Sequence, residues 1–159
     1  MGTGKTFTQA GLIIWYLTTH YKSKVITTAP TQHQLYDVLW SELSKMNDNS
    51  LVKDMFEWTA TKYSFKESPA DWFAVARSSS KPENMAGFHA EHMLILVDEA
   101  SGVDDEIMEV IEGATTDKNN IIMMFGNPTR LTGGFYESFN NKQKFYHTMT
   151  MSCLDRKST

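Results

Sequence analysis

A chain of 159 residues, 41% hydrophobic and 21% charged, is about one domain long and can bury a real core. Its net charge of -4 excludes a domain that coats nucleic acid through bulk positive charge, while leaving room for one local phosphate-gripping patch. The single cysteine, Cys153, excludes an internal disulfide, suits a reducing compartment and reads as a small buried or half-buried side chain. No apolar run approaches the roughly 18 residues of a membrane span.

In chain order, Thr6 to His20 reads as a helix. Phe7, Ala10, Gly11, Ile14 and Leu17 recur at helical spacing, and the segment is apolar nearly all round. Lys24 to Ala29 is a strand stopped by Pro30. Thr31 is placed to cap a helix over Gln32 to Met46, which runs into the polar Asn47-Asp48-Asn49-Ser50 turn. Met55 to Phe65 and Trp72 to Arg77 suggest a two-stranded hairpin turning at Glu67 to Asp71, with Trp58, Tyr63, Phe65, Trp72 and Phe73 as its core. Ser78 to Asn84 is a polar loop. Met93 to Val97 is a continuous apolar strand of the kind buried on both faces. Asp104 to Glu112 is a helix with Ile107, Val110 and Ile111 inward and Gly113 as its C-terminal cap. Ile121 to Phe125 is another fully apolar strand, broken by Gly126-Asn127-Pro128. Gly134 to Asn140 is a short helix, and Lys144 to Ser152 a last strand. Most of the ten methionines, among them Met93, Met123 and Met124, read as core filler.

Alternating strands and helices predict an α/β fold with a mainly parallel sheet covered by helices on both faces. Ligands of such sheets bind beyond the C-terminal strand ends, so chemistry is sought there.

Gly2-Thr3-Gly4-Lys5-Thr6 opens the first helix and reproduces the end of the G-x-x-x-x-G-K-[ST] phosphate loop. Glycines let backbone N–H groups approach phosphates, and the helix N-terminus favours the same anion. In that pattern Lys5 is expected to reach the β- and γ-phosphates of ATP, and the Thr6 hydroxyl to bind Mg²⁺. The first glycine of the pattern, and the strand leading into it, are expected before Met1, so the loop reads as cut short.

Leu94-Ile95-Leu96-Val97 ends in Asp98-Glu99. Neighbouring strand side chains point to opposite faces, which lets the two acids take different roles. Asp98 is expected on Mg²⁺. Glu99 is expected to orient and deprotonate the attacking water. Asn127, just past the next strand, is placed to sense the γ-phosphate. Thr28 to Thr31 with Gln34 reads either as a coupling loop or as a capped helix start. Arg77 and Arg130 are the candidates for an arginine completing a neighbouring subunit's site. His89-Ala90-Glu91-His92 lacks a further ligand set and is read as a loop rather than a metal site.

Taken together, the chain resembles the ATPase domain of the large terminase subunit of tailed bacteriophages and prophages. The resemblance runs through Gly2 to Thr6, Thr28 to Thr31, Gly87-Phe88-His89-Ala90, Leu94 to Ser101, Gly126 to Arg130 and Gly134-Phe135-Tyr136. It implies a P-loop NTPase fold of the additional-strand, RecA/helicase-like type, with its N-terminal strand missing from this chain. It implies ATP-driven packaging of double-stranded DNA into a procapsid. Site roles follow: Lys5 and Thr6 on the nucleotide, Asp98 on Mg²⁺, Glu99 as catalytic acid and Asn127 in the coupling motif. Implied partners are DNA, the small terminase subunit, the portal and a homo-oligomeric ring, in the bacterial host cytoplasm and without a membrane. Residues 1–152 are then the ATPase domain, and 153–159 the start of a linker to an absent nuclease domain. Ala86 stands where many relatives carry the trans arginine, which leaves Arg77 as a substitute. Two alternatives stay open: a helicase-like DNA-dependent ATPase, and a non-hydrolysing remnant that only binds partners. Gly126-Asn127-Pro128-Thr129-Arg130 favours terminase over helicase.

Overall fold

The computed structural model describes residues 4–115 and 117–151. The readings of Gly2, Thr3, Cys153 and the 153–159 linker fall outside those residues.

Helix α1 (Lys5–Thr19) leads into strand β1 (Lys24–Ala29). A π-helical stretch, His33–Trp40, continues into α2 (Ser41–Asp48) as one helical rod, with Gln32, Trp40 and Ser41 all right-handed helical. Thr31 starts it as expected: its hydroxyl accepts from Gln34 N at 3.3 Å and donates to Gln34 Oε1 at 2.9 Å. Strands β2 (Phe56–Trp58), β3 (Lys62–Phe65) and β4 (Phe73–Ser78) follow. Then come β5 (Met93–Val97), α3 (Asp105–Ala114), β6 (Asn120–Met124) and α4 (Gly134–Ser138).

All six strands form one sheet in the order β2-β3-β4-β1-β5-β6. β1 pairs in parallel with both β4 and β5, and β5 in parallel with β6. Among the described strands β3 alone is reversed, antiparallel to both β2 and β4. The fold is therefore the α/β, mainly parallel arrangement that the alternation predicted.

Strand alternation sends side chains into two cores, one per face. On one face Val25, Ala74, Ala76, Leu94 and Leu96 meet Ala10, Ile13 and Leu17 of α1 and Leu35, Leu39 and Leu43 of the helical rod. On the other, Ile26, Val75, Ile95 and Val97 meet Met85 and Ile107, Met108 and Ile111 of α3. Each fully buried aliphatic side chain contributes about 2 kcal/mol. The aromatics Trp58, Tyr63, Phe65 and Trp72 pack on the α1 face, with Phe73 on the other, which is the core role expected of them.

Four expectations about elements need correction. The two-stranded hairpin is a three-stranded meander, because Thr59 folds the chain back: its hydroxyl accepts from Lys62 N at 3.0 Å, and its own N–H donates to Lys62 O at 2.8 Å. Gly113 lies inside α3, and Thr115 closes that helix through its hydroxyl, 3.0 Å from Glu112 O. β6 is half-exposed rather than buried on both faces, since among the described residues it is the sheet's edge. The last strand does not form. Gln143–Phe145 is a 3₁₀ turn, and the chain beyond it to Met151 has no ladder partner among the described residues. An alternating segment becomes a strand only where an edge receives it. No described helix is long and apolar enough to cross a membrane.

Candidate active site

The parallel strands β4, β1, β5 and β6 end side by side, and their C-terminal ends carry Arg77, Pro30, Asp98-Glu99 and Gly126-Asn127. Backbone bonds stitch these ends together. Asp98 N donates to Thr28 O at 2.9 Å, Phe125 N to Val97 O at 2.8 Å, and Ala100 N to Phe125 O at 2.8 Å.

The N-terminus of α1 stands over the same edge. Gly4 is left-handed, at φ 78° and ψ 7°, the region glycine enters without a Cβ penalty. No side chain caps the helix, and its first turn carries no acid. The first helical bond runs from Thr8 N to Gly4 O, so the earlier N–H groups lack acceptors within the helix. N–H groups without acceptors inside the helix, the positive end of a 15-residue helix and the Lys5 ammonium together suit an anion.

Both acids reach α1. The Lys5 ammonium lies 3.1 Å from Glu99 Oε1, an ion pair between residues 94 apart in sequence. Gln9 Nε2 donates to Asp98 Oδ1 at 2.9 Å in a buried contact. The expected division of the two acids by strand alternation does not hold, because β5 stops at Val97. Glu99 instead takes φ 47° and ψ 45°, a left-handed conformation that costs a non-glycine residue about 1 kcal/mol. That kink turns its carboxylate back toward Lys5 and starts the Ala100–Gly102 3₁₀ turn. Asp98, by contrast, is only 7% exposed.

The cation expectation fits this donor set. A buried carboxylate and the hydroxyl of Thr6, on the first turn of α1, are hard oxygen donors of the kind Mg²⁺ takes. Lys5, Asp98 and Glu99 are thus brought together, with Gly4 capping α1 and Thr6 in its first turn. Asn127 is exposed at the end of β6, and its carbonyl accepts from Thr129 N at 2.8 Å. The Thr129 hydroxyl donates to Ser101 Oγ at 2.9 Å, tying the Gly-Asn-Pro-Thr turn to the turn that Glu99 starts.

Two arginines stand apart. Arg77 lies over the Phe88 ring, 5.9 Å from its centroid, and among the described residues bonds only its neighbour's carbonyl, Ala76 O, at 3.5 Å. It is not brought to Lys5 or Glu99. Arg130 lies 4.0 Å from Asp104, both well exposed. His92 sits beside His20, ring centroids 5.3 Å apart, and His89 O accepts from Lys24 Nζ at 2.9 Å. Two hollows, of about 80 and 300 Å³, flank α3 and Gly133–Gly134, away from Lys5, Asp98 and Glu99.

Sequence reasoning missed Gln9 and the Glu99 kink. Gln9 carried a signal, being an uncharged polar residue next to Ala10 on the inward face of an apolar helix. The kink carried none, since Asp98-Glu99-Ala100 contains no glycine.

No protein-family model matches the chain. A protein of Enterobacteria phage P7 described as "Probable terminase, large subunit" is 34% identical over 86% of this chain. The chain belongs to the terminase large subunit family. It spans 29% of the length of that relative. Among solved structures, the large terminase ATPase domain of Thermus phage P74-26 superposes with a TM-score of 0.66, at 16% identity, over 86% of this chain and 59% of that one. The large terminase of a thermophilic bacteriophage, solved in complex with ADP, gives a TM-score of 0.65, at 14% identity, over 89% of this chain and 35% of that one. These likenesses show that the terminase chain carries the ATPase-domain fold.

Proposed function

We propose that the chain is the ATP-hydrolysing motor region of a phage large terminase, which drives double-stranded DNA into a procapsid. The observation that carries the reading is the convergence of Lys5 and Asp98-Glu99 at one end of a parallel sheet. Family membership supports it, and so does the ADP complex of the thermophilic phage's terminase, whose fold this chain shares.

In this reading the N–H groups at the start of α1 and Lys5 bind the β- and γ-phosphates. The loop residues Gly2, Thr3, Gly4 and Thr6 complete that cradle. Asp98 and the Thr6 hydroxyl hold Mg²⁺, which when bound neutralises charge developing on the phosphate oxygens. Glu99 accepts the proton of the attacking water. In the resting state it is engaged by Lys5, so an arriving γ-phosphate takes over the ammonium and frees the carboxylate. Asn127 responds to the γ-phosphate and passes its state to the Thr129–Ser101 contact. Arg77, outside its own site, serves a neighbouring subunit of a ring. DNA, the small terminase subunit and the portal are the partners, in the host cytoplasm.

The test is ATP turnover with and without double-stranded DNA, for the chain and its Glu99→Gln variant. The reading expects DNA-stimulated turnover that Glu99→Gln lowers about a hundredfold or more. Turnover that Glu99→Gln leaves unchanged contradicts it, and strand unwinding would point to the helicase-like alternative instead.

A further inference from the structure

Gln9 lies one helical turn beyond Lys5 and is fully buried, with Ala10, Ile13 and Leu17 on the same inward face of α1. Packing gives no reason for an amide there. Its Nε2 donates to Asp98 Oδ1 at 2.9 Å. The opposite amide orientation would set two oxygens against each other, so the partner fixes which end donates. Its Oε1 is buried and has no hydrogen-bond partner among the described residues. Orphaned buried oxygens are rare because they destabilise the fold, and Leu or Met would fill the same space without one. A polar group kept against packing, touching a single carboxylate, is the mark of a functional site.

We propose that Gln9 is the positioning residue for Asp98. Its amide holds Oδ1, which fixes the rotation of the carboxylate and leaves the other oxygen facing the divalent cation. Its Oε1 remains to accept from a water of that site. The inference rests on the reading of Asp98 as a cation ligand. Partners one step removed from a metal hold its ligand in orientation, and losing one typically costs ten- to a hundredfold in metal affinity.

The experiment titrates the full chain with Mn²⁺ at saturating ADP, following free Mn²⁺ by electron paramagnetic resonance. ADP affinity without metal and the melting temperature are measured alongside, for wild type, Gln9→Met and Asp98→Asn. The expected result is that Gln9→Met weakens Mn²⁺ binding about tenfold. It leaves metal-free ADP affinity unchanged, while the melting temperature falls modestly, because Asp98 Oδ1 loses its buried donor even as the orphaned oxygen is removed. If Asp98→Asn weakens Mn²⁺ binding and Gln9→Met does not, positioning by Gln9 is overturned while the cation reading stands. If Gln9→Met lowers metal-free ADP affinity in proportion to its loss of Mn²⁺ binding, Gln9 is a structural residue and the proposal fails. If wild type binds no Mn²⁺, or Asp98→Asn binds it equally well, the cation reading fails and takes this inference with it.

Discussion

Replacing Glu99 by Gln tests the Lys5–Glu99 pair directly. The substitution keeps the side chain's size and removes its charge. At 3.1 Å the pair's Coulomb attraction is about 5 kcal/mol at an effective dielectric near 20. The side chains keep 27% and 31% of their surface, so water screens most of that attraction, and the net worth falls to about 1 kcal/mol. A phosphate that claims Lys5 must first displace Glu99. Glu99→Gln removes the competitor, and about 1 kcal/mol corresponds to roughly fivefold tighter binding of ATP. Titration with a fluorescent ATP analogue measures this. The gap between variant and wild type should narrow in 0.5 M salt, because the pair is partly exposed. Binding by Glu99→Gln that is equal to or weaker than wild type would refute the competition argument.

Three further outcomes follow from the fold. Leu96→Ala, at a fully buried position of β5, should lower unfolding free energy by about 2–5 kcal/mol in urea denaturation; a loss under 1 kcal/mol would mean the site collapses or is not core. Tyr63 is buried and donates to Asn47 Oδ1 at 2.7 Å, so Tyr63→Phe strands a buried acceptor and should lose about 1–2 kcal/mol in the same assay. The Tyr146 phenol is pushed up to about 12, first by burial, then by its hydrogen bond to Glu112 and by that carboxylate's charge. The raised folded value means its contribution to stability is whole below pH 10 and is lost as pH rises from 10 toward 12. Ultraviolet titration of Glu112→Gln should show Tyr146 ionising at lower pH than in wild type, yet still above 10 because burial remains; no shift would contradict the Glu112 contribution.

Much of this fold was legible in the sequence where apolar runs end on strong signals. Pro30 stops β1 and the two acids stop β5, so both strands were readable to the residue. The Thr59 turn was not, because it contains no Gly, Pro, Asn or Asp and is closed by a threonine hydroxyl instead. The segment from Lys144 reads as a strand by alternation, but pairing depends on what lies beside it, and alternation says nothing about that. At the candidate site, the meeting of Lys5, Asp98 and Glu99 was legible because a glycine-lysine helix start and an acidic end of an apolar strand are patterns read together. The left-handed Glu99 and the Gln9–Asp98 bond are tertiary facts. Each depends on α1 crossing the end of β5, a meeting of segments about ninety residues apart in sequence.

The most direct measurement of the central claim is a crystal structure of the chain soaked with Mg²⁺ and a non-hydrolysable ATP analogue. The account predicts the γ-phosphate within hydrogen-bond reach of Lys5 Nζ, the cation on Asp98, and Glu99 released from Lys5. Nucleotide bound elsewhere, or a bound γ-phosphate with the Lys5–Glu99 pair still closed, would contradict it.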